Sequence, residues 1–344
     1  MNIKQIEPNL EKEVASLDVN PLVSVVLGNY NYGRFIKRSI DSVLTQTYPN
    51  IELIIIDDGS TDDSRSVIEA YPKEESDKFR TVFQTNSGDT AVFNLGIEQS
   101  QGTIVCFLDA DDYFHPEKVM KVVKAFKDHP EWVQVGHSWI SVDINGKAVG
   151  RATSDKLSQG NVTNLLLKWG KYASTISSGL ACRKSVLQQV MPLAQGWGVD
   201  SYLNVVMPFY GEVGCINEDL MYYRMHGSNR RAHSDDLTYL MQQREGMAQF
   251  VNHTAEQLGL LQRFDIQRDV DYRSYQVMQR GTSSFGDAIQ IIKLSLQESL
   301  EIGRSPRDTL IRLIYRSFIA FFPQRGKQAL RLGFRRYALS ILNR

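Results

Sequence analysis

Apolar residues in the first third of the chain fall into short blocks separated by polar, turn-forming segments. Val23–Leu27, Glu52–Ile56, Arg80–Gln84 and Thr103–Leu108 are too short for stable helices and read as strands. Ile104 to Leu108 is apolar without alternation, the pattern of a strand buried on both faces. Between the first two blocks, Phe35–Gln46 sets Ile36, Ile40, Val43 and Leu44 on one helical face. Helices are also predicted up to Tyr71, over Thr90–Gln99, and from Pro116 to Lys127. This alternation predicts an α/β fold with a mostly parallel central sheet covered by helices. Right-handed crossovers then carry positions 28, 57, 86 and 109 to one edge of that sheet.

The middle of the chain is less regular. Trp132–Val142 reads as a strand and Asn145-Gly146 as a hairpin turn. Ser177–Arg183 is a further strand, Ser185–Val190 a short helix, Asp200–Phe209 a helix and Met221–Met225 a closing strand. From Asp235 onward the periodicity is helical. The expected organisation is a leader at 1–20, a main domain at 21–233 and a helical C-terminal extension at 234–344.

Charge changes this picture in one respect. The 344 residues carry 39 basic and 39 acidic side chains, yet residues 304–344 hold ten of the former and one of the latter. A segment of net charge +9 on a body of net −9 predicts an anionic surface as partner. No nucleic-acid-binding motif accompanies the charge, so nucleic acid is not expected. Met1–Asn20 is polar and acidic, without the apolar core of a signal peptide. No run reaches the roughly 18 apolar residues of a spanning helix. Cys106, Cys182 and Cys215 lack Cys-x-x-Cys spacing and read as reduced, buried thiols of a cytoplasmic protein.

The candidate chemistry gathers where strands end. Asp109, Asp111 and Asp112 follow a buried strand, and burying three unpaired carboxylates is too unfavourable to occur. They are expected at the open end of the sheet, where ligands of such folds bind and where carboxylate oxygens suit a hard divalent cation. Asp57-Asp58-Gly59-Ser60-Thr61-Asp62-Asp63 fits a tight turn with a helix cap, Ser60 and Asp63 having capping-box-like spacing. Asp200 follows Gly196-Trp197-Gly198-Val199 at a helix start, where an aspartate serves either as cap or as reactive group.

Four segments together resemble the inverting family 2 glycosyltransferases, whose nucleotide-binding fold is GT-A. They are Val-Ser-Val-Val-Leu-Gly-Asn-Tyr-Asn (23–31), Ser-Val-Leu-Thr-Gln-Thr-Tyr (42–48), Ile-Ile-Ile-Asp-Asp-Gly-Ser-Thr-Asp (54–62) and Phe-Leu-Asp-Ala-Asp-Asp (107–112). The resemblance implies transfer of a sugar from a uridine- or thymidine-linked donor to a hydroxyl of a glycan or lipid-linked acceptor. It implies that Asp111 is the main ligand of a Mg²⁺ or Mn²⁺ ion, with Asp109 at the ribose or the metal's shell and Ala110 beside them in the donor pocket. Tyr30 is expected to stack on the base, Asp58 to accept a base N–H, and Asp57 to support it, with Gly28 opening close access. Asn86, Gly88 and Asn94 resemble donor-pocket residues, and Ser178-Gly179 a strand beside the sugar. Asp200 resembles the general base, although Val199 replaces the acidic residue common before it. Tyr222-Tyr223-Arg224-Met225-His226 resembles a strand whose histidine completes the metal site, with Arg224 in support. The basic C-terminal segment is expected to pack on the domain, to pair with a partner, or to attach peripherally to the inner face of a membrane. Two other readings of the same fold stay open: a sugar-phosphate nucleotidyltransferase and a catalytically silent nucleotide-binding module. The first lacks its basic glycine-rich loop between Gly28 and Arg34. A dinucleotide oxidoreductase is not expected, since no Gly-x-Gly-x-x-Gly follows the first strand.

Overall fold

A computed structural model describes residues 18–76, 78–151, 156–227, 229, 235–332 and 337. The strands are β1 (Val23–Asn29), β2 (Ile51–Asp57), β3 (Phe79–Phe83), β4 (Ile104–Asp109), β5 (Tyr113–Phe114), β6 (Trp132–Val142), β7 (Ala148–Arg151), β8 (Leu180–Arg183) and β9 (Glu212–Arg224). The principal helices are α1 (Gly33–Leu44), α2 (Ser64–Glu69), α3 (Asp89–Gln99), α4 (Lys118–Asp128), α5 (Thr163–Trp169), α6 (Lys184–Val190) and α7 (Val199–Val206). A second group follows: α8 (Leu237–Gln257), α9 (Val270–Arg280), α10 (Phe285–Ile302), α11 (Pro306–Phe321) and α12 (Pro323–Leu332). The chain divides into two compact units, one built from the described residues up to 151 with 157–162 and 174–225, the other from 163–173 and 226 onward.

In the first unit the described strands form one sheet in the order β3-β2-β1-β4-β8-β6-β9-β5, with β7 on β6. The β3-β2-β1-β4 half is parallel throughout, and β6 and β9 also run parallel; β8 enters antiparallel to both β4 and β6. All five apolar residues of β4 are fully buried, as their unbroken run predicts. Alternate residues serve opposite faces. Val25, Leu27, Leu53, Ile55, Cys106 and Leu108 pack with Ile36, Ile40, Val122 and Phe126 of α1 and α4. Ile54 and Ile56 meet Val92 of α3 on the other side, where Phe93 also sits edge-on to Phe107 (5.7 Å between ring centres). The hairpin turn at 145–146 forms as expected, with Gly146 at φ +83°.

Two expectations are corrected here. Ser177–Gly179 is a 3₁₀ turn, and only Leu180–Arg183 continues as strand. The closing strand begins at Glu212 rather than Met221, because Glu212–Leu220 pairs along β6 despite its polar Asn217-Glu218-Asp219. Helix α5 carries Trp169 into the core of the second unit, a role its short sequence does not announce.

The second unit is helical and has its own core of Trp169, Leu237, Val277, Ile291, Leu294 and Ile319. Buried charges are paired within it. Lys171 stands 3.7 Å from Asp269 and 3.3 Å from Glu298 and also bonds Asp271, while Arg244 bonds Asp269 and Arg316 bonds Asp271. Despite burial, which opposes charge on a carboxylate, Lys171 and Arg244 hold Asp269 below the usual carboxylate range. Removing Asp269 takes the carboxylate partner from the half-buried Arg244 and one of three from Lys171. Asp269→Ala is therefore expected to destabilise the unit by about 3–5 kcal/mol in a urea titration; a change near zero would show that the network is solvated.

Candidate active site at the strand ends

The parallel register sets Gly28 beside Ile56 and Asp109, and Asn29 beside Asp57, so the loops after β1, β2 and β4 emerge together. The first two are knitted by reciprocal side-chain bonds. Asn31, itself at φ +56°, accepts the backbone N–H of Thr61 (2.7 Å), while Asp62 accepts those of Gly33 (2.8 Å) and Ser64 (3.0 Å). Asp63 precedes α2 without making a side-chain cap, and the Ser60 hydroxyl bonds Asp57 instead; the expected capping pair is replaced by Asp62. Asp57 is buried and accepts Asn29 Nδ2 (2.6 Å) and both the N–H and hydroxyl of Ser60, so its carboxylate holds the turn.

Asp58 organises the third loop. Its oxygens accept Gln84 Nε2 (2.6 Å) and the backbone N–H groups of Ser87 (2.8 Å) and Gly88 (2.8 Å). Gly88 has φ +86° and starts α3, and Asn86 is exposed on the same loop. Asp58→Ala releases three donors into a loop that can rehydrate, so stability should fall by only about 1 kcal/mol. Donor affinity should fall more than tenfold, about 1.4 kcal/mol or more, by calorimetry; unchanged affinity would remove this loop from the site. Tyr30 is 47% exposed just beyond the end of β1. Gly28 has a different basis from the one expected: an added Cβ would stand 2.9 Å from Val92 Cγ1, so close packing of α3 on β1 requires glycine. Asn94 is a loop anchor, its amide bonding the Leu193 N–H (2.8 Å) and carbonyl (3.3 Å).

Beyond β4, Asp109 is half-buried, Ala110 fully buried, and Asp111 and Asp112 are buried. Burial first, and the Asp111 charge next, push the Asp109 carboxyl up to about 8; Asp89 and Asp200 add to the effect, while a bond from Ser177 opposes it. The same causes raise Asp112 well above the ordinary carboxylate range. Asp89, Asp111 and Asp200 thus each lie within electrostatic reach of Asp109. Hard carboxylate oxygens are the donors that a divalent cation takes. Among the described residues no three His, Cys, Asp or Glu side chains stand together at metal-ligand spacing. An ion there would draw further oxygens from water or a ligand. His226 belongs to the second unit, where its N–H donates to Asn229 Oδ1 (2.6 Å).

Arg224, buried, holds the acidic loop from β9. Its Nε donates to the Asp111 carbonyl (2.9 Å), its Nη1 to the Ile144 carbonyl (2.8 Å), and its backbone N–H to Asp112 Oδ1 (3.0 Å). Beneath the loop lies Lys118, fully buried, with Nζ 2.6 Å from the Ser178 carbonyl and 3.4 Å above the Phe114 ring centre. Burial lowers its pKa to about 7. Ser178 Oγ in turn accepts the Asp109 N–H (3.1 Å), and the Ser177 hydroxyl bonds the Asp109 carboxylate. Neither Lys118 nor Tyr32 was anticipated from sequence. Burial, then the charges of Asp111 and Asp109, raise the Tyr32 phenol, keeping it an O–H donor beside the carboxylates. A lysine on the apolar stripe shared by Val122 and Phe126 was the available signal for Lys118.

Asp200 lies in the first turn of α7 and is half-buried; Gly198 is the N-cap, so the capping reading does not apply to it. The preceding loop is fastened to α3, with Thr90 Oγ1 donating to the Trp197 carbonyl (2.9 Å) and accepting the Gly196 N–H (3.1 Å). Trp197 is half-buried. A cavity of about 680 Å³ lined by Val43, Tyr48, Glu52, Phe79 and Arg80 lies at the opposite, N-terminal ends of β2 and β3, away from these groups.

Known proteins are similar to this chain in sequence and in fold. A family model described as glycosyl transferase family 2 matches residues 24–191. An uncharacterised glycosyltransferase of Nostoc sp. is 32% identical over 305 residues, covering 86% of this chain and 94% of that protein. A second, from Haemophilus influenzae, is 34% identical over 147 residues, 41% of this chain and 58% of its own length. Among solved structures, S. aureus TarS 1–349 superposes with a TM-score of 0.53 at 15% identity over 91% of both chains. The mannosyltransferase PcManGT of Pyrobaculum calidifontis, solved with GDP-Man and Mn²⁺, gives 0.50 at 15% identity over 99% of both. The likeness establishes the fold, which is of the GT-A type.

Proposed function

Because this chain belongs to glycosyl transferase family 2, we propose that it is an inverting, divalent-cation-dependent transferase of a sugar from a nucleoside diphosphate to a hydroxyl acceptor. The observation that carries the reading is that Asp109, at the carboxyl end of β4, feels the charges of Asp111 and Asp200, while Tyr30 is exposed just after β1. Tyr30 stacks on the base, and the loop held by Asp58 through Gly88 borders it. Asn94 acts on the donor pocket indirectly, by holding the loop at Leu193. Asp109 and Asp111 would hold Mg²⁺ or Mn²⁺, as the family resemblance implies. That ion, when bound, offsets negative charge on the departing diphosphate.

Asp200 takes the proton from the acceptor hydroxyl, whose oxygen attacks the anomeric carbon from the face opposite the leaving group. Arg224 keeps the Asp111–Asp112 backbone in place during turnover. Tyr32 donates its O–H toward the anionic loop or a phosphate oxygen. A uridine or thymidine donor follows from the resemblance, and TarS has been solved with UDP-GlcNAc. The acceptor is a glycan or lipid-linked hydroxyl compound. A thermal-shift screen of nucleotide-sugars with and without Mn²⁺ tests the reading. Stabilisation is expected only when donor and ion are present together. Stabilisation by nucleoside triphosphates, with release of pyrophosphate, would favour the nucleotidyltransferase instead.

A further inference from the structure

Helix α11 is oriented against the usual rule for a water-facing helix. Arg316 points inward, 9% exposed and paired with Asp271, while Leu310, Ile311, Ile314 and Phe321 are each at least half exposed. Spacings of one, three and seven residues keep these apolar groups on one side, and Thr309, Ile319 and Ala320 occupy the buried side. The helix packed before it repeats the pattern. On α10, Phe285 (74% exposed), Ile289, Leu296 and Leu300 (64%) recur at i, i+4, i+11 and i+15 on the outer side. Phe322 continues the exposed apolar run beyond α11, with the Arg325 guanidinium 5.8 Å from its ring centre. Isolated exposed leucines are ordinary, but two consecutive helices each bearing a full apolar stripe mark an interaction surface.

We propose that this surface docks on an anionic lipid bilayer, with α10 and α11 lying in the interfacial plane. Charge selects the occupant. Arg307, Arg325, Lys327 and Arg331 are exposed along α11 and α12, and the sequence from 304 to 344 has net charge +9. A second copy would bring +9 against +9, which repels, whereas acidic headgroups attract the basic side chains while the acyl boundary receives the apolar ones. Among the described residues no helix is long and apolar enough to cross a membrane, so the attachment is to the surface. The inference does not depend on sugar transfer.

Flotation of the full chain with phosphatidylcholine vesicles, with and without phosphatidylglycerol, tests it. Binding is expected only with phosphatidylglycerol, and it should weaken as salt is raised. Ile311→Glu with Ile314→Glu, and separately Arg325→Glu with Lys327→Glu, should each reduce the partition coefficient by at least about tenfold. These side chains are exposed, so the melting temperature should be unchanged. The proposal fails if the wild-type chain ignores anionic vesicles, binds neutral ones equally, or partitions unaltered with both pairs of substitutions. It fails equally if sedimentation equilibrium shows a dimer that Ile314→Glu dissolves, since the stripe would then belong to a second copy.

Discussion

Asp200→Asn is expected to lower turnover by about 10²- to 10⁴-fold while leaving donor affinity intact, the usual contribution of a positioned general base. The amide keeps the size of the side chain but cannot take a proton at neutral pH. Asp200 does not cap α7, so the helix should survive the change. Turnover is read on an acceptor found by screening glycans with the wild-type protein, and donor affinity by calorimetry. Loss of donor binding in proportion to turnover would move Asp200 from the base to the metal or donor. Full turnover in the variant would remove it from the chemistry altogether.

A second large effect is expected at the carboxylates after β4. Asp111→Asn should abolish cation-dependent donor binding, and chelator should do the same to the wild-type chain; undiminished transfer in excess chelator would refute a metal role. Asp109 adds a pH signature. Its carboxyl is raised to about 8 in the folded chain, chiefly by burial and the Asp111 charge, against an ordinary value near 3.8. Between those limits the folded state holds a proton that the unfolded state has released. Stability without ligand must therefore decline as pH rises from about 4 to about 8. Bound cation competes with that proton, so donor and Mn²⁺ together should stabilise more strongly as pH approaches 8. Asp109→Asn should flatten both slopes in thermal melts, and equal slopes in variant and wild type would contradict the assigned environment.

The buried lysine under this loop follows the same electrostatic logic. Lys118 places an amine below the acidic segment, and its bond to the Ser178 carbonyl fixes the turn whose two hydroxyls serve Asp109. Only the folded chain brings residues 109, 118 and 178 together, since they come from β4, α4 and the turn before β8. Asp58 teaches a related lesson. Its position at the end of β2 was legible, but its three bonds to Gln84, Ser87 and Gly88 depend on how the next crossover returns.

Local pattern by itself determined the α/β class, the four parallel strands, their flanking helices and the acidic strand ends. Burial on both faces leaves an unbroken apolar run in the sequence, and carboxylates cannot follow such a run inward without partners. The family was legible for a similar reason, as its motifs are contiguous in the chain. Tertiary structure decided what each polar group is engaged with. Gly28 proved to be set by Val92, Asn94 by the loop at Leu193, and Arg224 by the carbonyls of Asp111 and Ile144. It also decided which side of α11 faces water. An amphipathic stripe fixes two sides of a helix, and only packing against Asp271 turned Arg316 inward and left Ile311 and Ile314 outside.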